Sequence, residues 1–349
     1  MQILQIFFIG CLGGAIFSFL HAPIPWTLGP LIATFIWKTY SGKQINWPDP
    51  IRNSGLIVLG YGMGSPFTVQ IGHQIIDQLP GMLIATSATI FLSLYIGWMT
   101  SKRTGVSPTS AILGSMPGGL QQMALVSEEV PGADPSAVTL MQTTRLLTSV
   151  FFVPLVATYG LATTVDLAPI GSASFFPANV PYETLAYYIL VSIVAAQVAK
   201  LLKMPTPYLL GPILGAVCAV LLGFDTPRLP RYILALGQVV VGIRMGATIS
   251  ADSLSNWKSI VGHTITGVLL VIATLTVVDF SLASYYNMSF LTAFISTAPG
   301  GVTEMGITAM SVHADIAIVL AYHLFRLFSI MLVGIPLTKW WLMRYHGAR

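Results

Sequence analysis

Apolar stretches of roughly twenty residues, parted by short polar or Gly- and Pro-rich joints, run through nearly the whole chain. A bilayer's hydrocarbon core takes about 20 residues of helix to cross. On that measure the pattern predicts helical segments near 3–20, 22–39, 54–72, 81–100, 107–126 and 137–160. A second set follows near 183–199, 206–222, 232–250, 260–281, 289–310 and 315–338. Between the sets, 161–182 is polar and holds Asp166 but neither Lys nor Arg, and reads as an extracytoplasmic linker. The expected fold is an all-α polytopic membrane protein made of membrane repeats 1–160 and 183–349.

The second set repeats the first. Pro117-Gly118-Gly119 recurs as Pro299-Gly300-Gly301, an offset of 299 − 117 = 182 residues. At that offset Pro23, Pro25, Leu28, Gly29 and Pro30 match Pro205, Pro207, Leu210, Gly211 and Pro212. Gly55, Gly60, Met63, Gly64 and Met123 match Gly237, Gly242, Met245, Gly246 and Met305. With a one-residue slip, Asp134 matches Asp315 and Arg145 matches Arg326. Duplicated membrane chains with paired helix breaks are a common way to build a central binding site.

Composition agrees with the periodicity. The chain is 54% hydrophobic and 8% charged, against about 25% charged in ordinary soluble domains, and its mean hydropathy is +0.78. Its 16 Lys and Arg form no basic run, so the net charge of +4 suits cytoplasmic loops and not nucleic acid. Cys11 and Cys218 fall in apolar, non-corresponding contexts and read as small buried hydrophobes. The N-terminus has no positive n-region and reads as a retained first membrane helix.

Charge also arbitrates the topology. Lys102-Arg103 follows the fourth segment, where the other repeat has Ser284-Tyr285-Tyr286. Lys200 and Lys203 face only His21 at the corresponding joint, and Lys258 corresponds to the acidic 73–81 stretch with Asp77. Equivalent loops that differ this way lie on opposite sides by the positive-inside rule, so the repeats are expected to be inverted. Arg228 and Arg231 run against it. Inversion needs an odd number of crossings per repeat, and the segments broken by Pro-Gly-Gly are the ones expected to fail to span. Two readings fit each break: a re-entrant hairpin, or a crossing but unwound helix. With hairpins the chain crosses ten times and both termini are cytoplasmic, in keeping with Lys339, Arg344 and Arg349 at the C-terminal end.

Unwound backbone at membrane depth survives only inside protein or along a wet cavity. The tips Pro117, Gly118, Gly119 and Pro299, Gly300, Gly301 therefore mark a candidate site whose half-helix N-termini suit an anion; a tight turn between packed helices is the plainer reading. Ser115 and Thr297 lie just before the tips. Just after them, the symmetry breaks at Gln122 against Glu304, and an ionisable residue at this depth is a functional candidate. Glu304 reads as a coupling group that exchanges a proton or ligates a cation, with an ion pair to Arg326 or Arg244 as the structural alternative. Arg145 and Arg326 offer planar forks suited to a carboxylate, or else clamp their own breaks. His323 shares a helical face with Arg326 and is a candidate proton relay or a packing histidine. Arg244, whose counterpart is Gly62, adds positive charge.

Several chemistries are missing. The six histidines form no metal spacing, and no CxxC, HExxH or Walker-type loop occurs. No enzyme activity, cofactor or metal is expected, and any transport draws on an ion or substrate gradient.

The stretch Gly-Ser-Met-Pro-Gly-Gly-Leu-Gln-Gln-Met at 114–123, the stretch Pro-Gly-Gly-Val-Thr-Glu-Met at 299–305, and the paired Pro-x-Pro-(Trp/Tyr)-x-Leu-Gly-Pro stretches at 23–30 and 205–212 resemble the AbrB family of duplicated-domain bacterial membrane proteins. The resemblance covers nearly the whole chain. It implies an inner-membrane protein proposed elsewhere in the family as a transporter or as a regulator of gene expression. The label ammonia monooxygenase, sometimes attached to this family, gains nothing here, since copper or iron oxygenation needs clustered ligands. The expected function is secondary transport of a small organic anion, a carboxylate or amino acid, coupled to protons in preference to sodium. A passive channel and a membrane sensor are the alternatives. A homodimer in the bilayer is expected.

Overall fold

The computed structural model describes residues 2–161, 182–224, 226–249 and 257–347. Among them every regular element is helical. The expected linker at 161–182 lies almost wholly outside the described residues. Five helical stretches are long and apolar enough to cross a membrane: Gln2–Phe19, Leu79–Thr104, Pro135–Leu161, Trp257–Tyr286 and Ile316–Arg344. Their outward faces are apolar, with Leu4, Phe8, Phe91, Leu270, Val277 and Phe280 exposed, as a multi-pass membrane protein requires.

The predicted segments correspond to helices within a few residues, with two corrections, one of them the last segment, expected at 315–338, which stays helical to Gly347. The segment expected at 54–72 is helix at Asp49–Gly64, and a separate short helix with no buried residue occupies Val69–Asp77. Pro48 and Pro50 start the first of these early, because proline is pre-set for a first helical turn.

The described chain falls into two compact units, and the division cuts across the two repeats. One unit gathers α1 (Gln2–Phe19), α2 (Pro25–Ser41) and α3 (Asp49–Gly64) with their counterparts α9 (Tyr182–Leu201), α10 (Pro207–Leu221) and α11 (Arg231–Thr248). The short α4 (Val69–Asp77) runs across the division. The other unit holds α5 (Leu79–Thr104), α6 (Pro108–Ser115), α7 (Leu120–Glu129) and α8 (Pro135–Val156) from the first repeat. From the second it holds α12 (Trp257–Tyr286), α13 (Phe290–Thr297), α15 (Ile316–Ser329) and α16 (Ile335–Gly347), while α14 (Val302–Ser311) begins in it and ends in the first unit.

In the first unit the matched glycines are close-packing points, and the packing is reciprocal. A Cβ on Gly60 would lie 2.5 Å from the Leu209 carbonyl oxygen, and one on Gly242 would lie 2.5 Å from that of Thr27. Gly55 and Gly237 meet each other's carbonyls in the same way. So α2 lies on α11 while α10 lies on α3, each repeat covering the other. Lys38 donates to the carbonyls of Ala247 and Ile249 at 2.8 Å each, which caps α11. The Pro-x-Pro joints also match in backbone: Ile24 and Thr206 take left-handed φ of 39° and 44°, a conformation rare for β-branched residues.

In the second unit α5 and α12 are equivalent helices packed antiparallel. Gly81 meets Tyr286 and Leu282 at one end, and Gly267 meets Ile96 towards the other. Short α6 and α13 lean on them and carry the chain to the two Pro-Gly-Gly breaks.

Candidate functional site

Each break ends one short helix and starts another, and the two share their helix caps and their turn bonds. Ser107 and Ser289 cap α6 and α13 by accepting from Ser110 and Thr292. The Gly118 amide donates to the Met116 carbonyl at 2.8 Å, and the Gly300 amide to that of Ala298 at 2.8 Å. Met123 folds over Gly118 and Met305 over Gly300, where any Cβ would collide with the methionine.

The carbonyls freed by each break are gathered by one arginine. Arg145 donates to Met116 at 2.7 Å and Gly118 at 3.1 Å. Arg326 donates to Thr297 at 3.0 Å, Ala298 at 2.8 Å and Gly300 at 2.9 Å. Both guanidinium groups are buried and close enough to each other to interact electrostatically. Such forks match carbonyls held at a fixed spacing, a task for which a lysine is a poor substitute. One turn earlier on each helix a second polar residue completes the clamp. Gln142 donates to Leu113 and Met116 and accepts from Arg145 at 2.9 Å. His323 stands at the equivalent place: Arg326 donates to Nδ1 at 2.6 Å, so Nε2 carries the proton and donates to Ile295 at 2.9 Å.

The two breaks are tied to each other's repeat. Ser149, one turn beyond Arg145, donates to the Pro299 carbonyl at 3.1 Å. Gln122 donates to the Met331 sulfur, and Gly334 lies against Met116. A small pocket lies here, lined by Ser93, Thr100, Ser115, Arg145, Thr264 and Pro299. Its free volume of about 20 Å³ accommodates a water molecule and not an organic anion. Arg145 Nε is buried without a partner among the described residues.

At the two N-termini the repeats differ. Gln122 lies over Gly119 at the start of α7, with its Oε1 buried and without a partner among the described residues. At the start of α14 the Glu304 carboxylate folds over Gly301, where a β-carbon would overlap Glu304 Oε2. Glu304 is 8% exposed. A carboxylate at that position complements the positive end of the half-helix.

Of the residues singled out in the sequence, Ser115, Pro117–Gly119, Gln122, Arg145, Thr297, Pro299–Gly301, Glu304, His323 and Arg326 come together in one unit. Arg244 does not join them. It lies on α11 in the other unit, where it pairs with Asp49 at 3.1 Å and donates to the Trp47 carbonyl. One residue was missed. Asp279, in the last third of α12, is 1% exposed and accepts from the Thr297 hydroxyl at 2.6 Å. Its counterpart is Gly97, which packs against Ser115. Comparing the repeats wherever one of them is ionisable, and not only where they agree, would have found it.

A family model described as "Transition state regulatory protein AbrB" matches residues 4–342. The chain is 25% identical over 323 residues to "Putative regulator AbrB" of Escherichia coli (strain K12), covering 93% of this chain and 91% of that one. It is 27% identical over 365 residues to "Uncharacterized protein YhjN" of Bacillus subtilis (strain 168), covering 98% and 93%.

Proposed function

The chain belongs to the AbrB family, and from that membership and the paired breaks we propose that it is a secondary active transporter of a small organic anion. The observation that carries the reading is the meeting of two Pro-Gly-Gly breaks, each held by a buried arginine, inside one unit. Interrupted helices of this kind supply amides and dipole ends where a substrate binds at the bilayer midplane. The antiparallel packing of equivalent helices α5 and α12 supports inverted repeats and re-entrant breaks, giving ten crossings and both termini cytoplasmic.

The two breaks take different parts in this reading. The α7 N-terminus bears neutral Gln122 and lies near Arg145, whose Nε has no partner among the described residues, so the anion docks there. The α14 N-terminus is already complemented by the Glu304 carboxylate, which couples transport to protons. Arg326 and His323 hold the second break in shape. The unit with both breaks carries substrate, and the other unit, with its interlocked glycines, is the scaffold and the dimer interface.

Uptake by purified protein in proteoliposomes, screened against a panel of carboxylates and amino acids, tests this. Saturable uptake that depends on the proton gradient is expected. Nonsaturable flux at very high rates would mean a channel, and no flux for any anion would remove the transport reading. The name of the Escherichia coli relative favours a second reading, a membrane regulator, which predicts ligand binding without flux.

A further inference from the structure

At three positions beside the duplicated breaks the second repeat holds an ionisable residue where the first does not. Gln122 faces Glu304 across the repeat, Gln142 faces His323, and Gly97 faces Asp279. Glu304 lies at a helix N-terminus and His323 is bonded at both ring nitrogens. Asp279 has neither arrangement. Oδ1 accepts from Thr297, while Oδ2 is buried without a partner among the described residues. The first repeat fills the same space without a carboxyl: a Cβ on Gly97 would lie 3.0 Å from Ser115 Oγ. The second repeat has thus placed an acid where the fold needs none.

We infer that Asp279, positioned by Thr297, is a proton-binding site beside the second break, which loads and releases a proton as the break changes its exposure. The inference rests on the transporter reading only for the use made of that proton. An acid taken out of water without a cation beside it is cheapest when neutral, so solvent reaching the break is what releases the proton. The carboxyl O–H then breaks to leave a carboxylate, and the proton passes to water. Thr297 is suited to couple the two events. Its hydroxyl holds Asp279 while its carbonyl is held by Arg326, so a movement of the break is felt at the carboxylate.

Competing charges around Asp279 are few. On α12 itself the titratable residues are Lys258, His263, Tyr285 and Tyr286. On α5, which packs against it, they are Tyr95, Lys102 and Arg103, the last two at the end remote from Asp279. On α8 the titratable residue is Arg145, which is committed to the first break, and α13 has none. Past the second break stand Glu304, folded over Gly301, and on α15 Tyr322, His323 and Arg326, the last two bonded to the carbonyls of the break. A sodium site would need several more oxygens than Asp279 and Thr297 provide.

Infrared difference spectroscopy between high and low pH, on full-length protein in lipid nanodiscs with no substrate, reads this site directly. The expected result is, beside the bands of the other acids and of Glu304, a separate high-frequency protonated-carboxyl C=O band from an acid in apolar surroundings, which grows as pH falls. Asp279→Asn should abolish it, Glu304→Gln should leave it, and Thr297→Val should shift its frequency. Thr297→Val keeps the test open if Asp279→Asn folds poorly. A band that survives Asp279→Asn, a band that ignores pH, or a sodium-induced signal at fixed pH that Asp279→Asn removes would overturn the inference. Absent flux with an intact Asp279 band would defeat the transport reading and leave the proton site standing. Proton-coupled flux without that band would do the reverse.

Discussion

Gln142 and His323 do one job with two chemistries, each bridging the carbonyls of a break to the arginine one turn away. Gln142 cannot titrate, and its repeat is built as well as the other. His323→Gln should therefore leave thermal stability within about 1 kcal/mol and leave the proton dependence of uptake unchanged, as melting curves and flux against pH would show. Arg326→Lys should behave differently. It keeps the charge but cannot reach three carbonyls and His323 together, and each buried carbonyl left without a donor costs about 1–3 kcal/mol. A melting temperature equal to wild type would show that the clamp contributes nothing. Glu304→Gln makes the second helix start like the first, and abolished proton dependence with retained fold is the expected outcome. Residues carrying charge beside Gly and Pro were legible in the sequence because their neighbours repeat. Asp279 was not, since it stands alone in an apolar run and its counterpart Gly97 gives no hint of an acid.

At the scale of elements, apolar run length was enough to place nearly every helix, because bilayer thickness fixes helix length more tightly than any soluble fold does. It erred over 54–72, where a short helix with exposed faces follows Gly64 and polarity, not length, marks the boundary. What run length could not reveal is which helix covers which, and here the glycines decide. Gly242→Ala drives a methyl towards the Thr27 carbonyl and should destabilise by about 1–3 kcal/mol. Gly262→Ala, where nothing among the described residues lies within 4 Å, should be neutral or slightly stabilising. Thermal melts of the two variants in one detergent make the comparison. Direction in the membrane is testable at the ends of α5 and α12. Single cysteines at the exposed positions 102 and 284 should react with impermeant reagents from opposite sides, and labelling from the same side would end the inverted topology.

For the whole molecule, the repeats read in the sequence do not coincide with the compact units of the structure. Matching residues reveal ancestry, whereas compactness follows from which faces bury each other, and the two partitions cross. The assembly expected in the bilayer is a homodimer, with α1 and α9 contributing exposed Leu12, Phe19, Leu190 and Val194 to the lipid or to a partner. A monomeric mass in nanodiscs as well as in mild detergent would count against it. The reciprocal glycine packing also sets a schedule for synthesis. The carbonyl of Thr27 waits for Gly242, which the ribosome adds 215 residues later (242 − 27). At about 5–20 residues per second that delay is on the order of ten to forty seconds. Throughout it the face of α2 that Gly242 will cover stays bare, open to a sister chain on the same polysome or to a membrane quality-control protease.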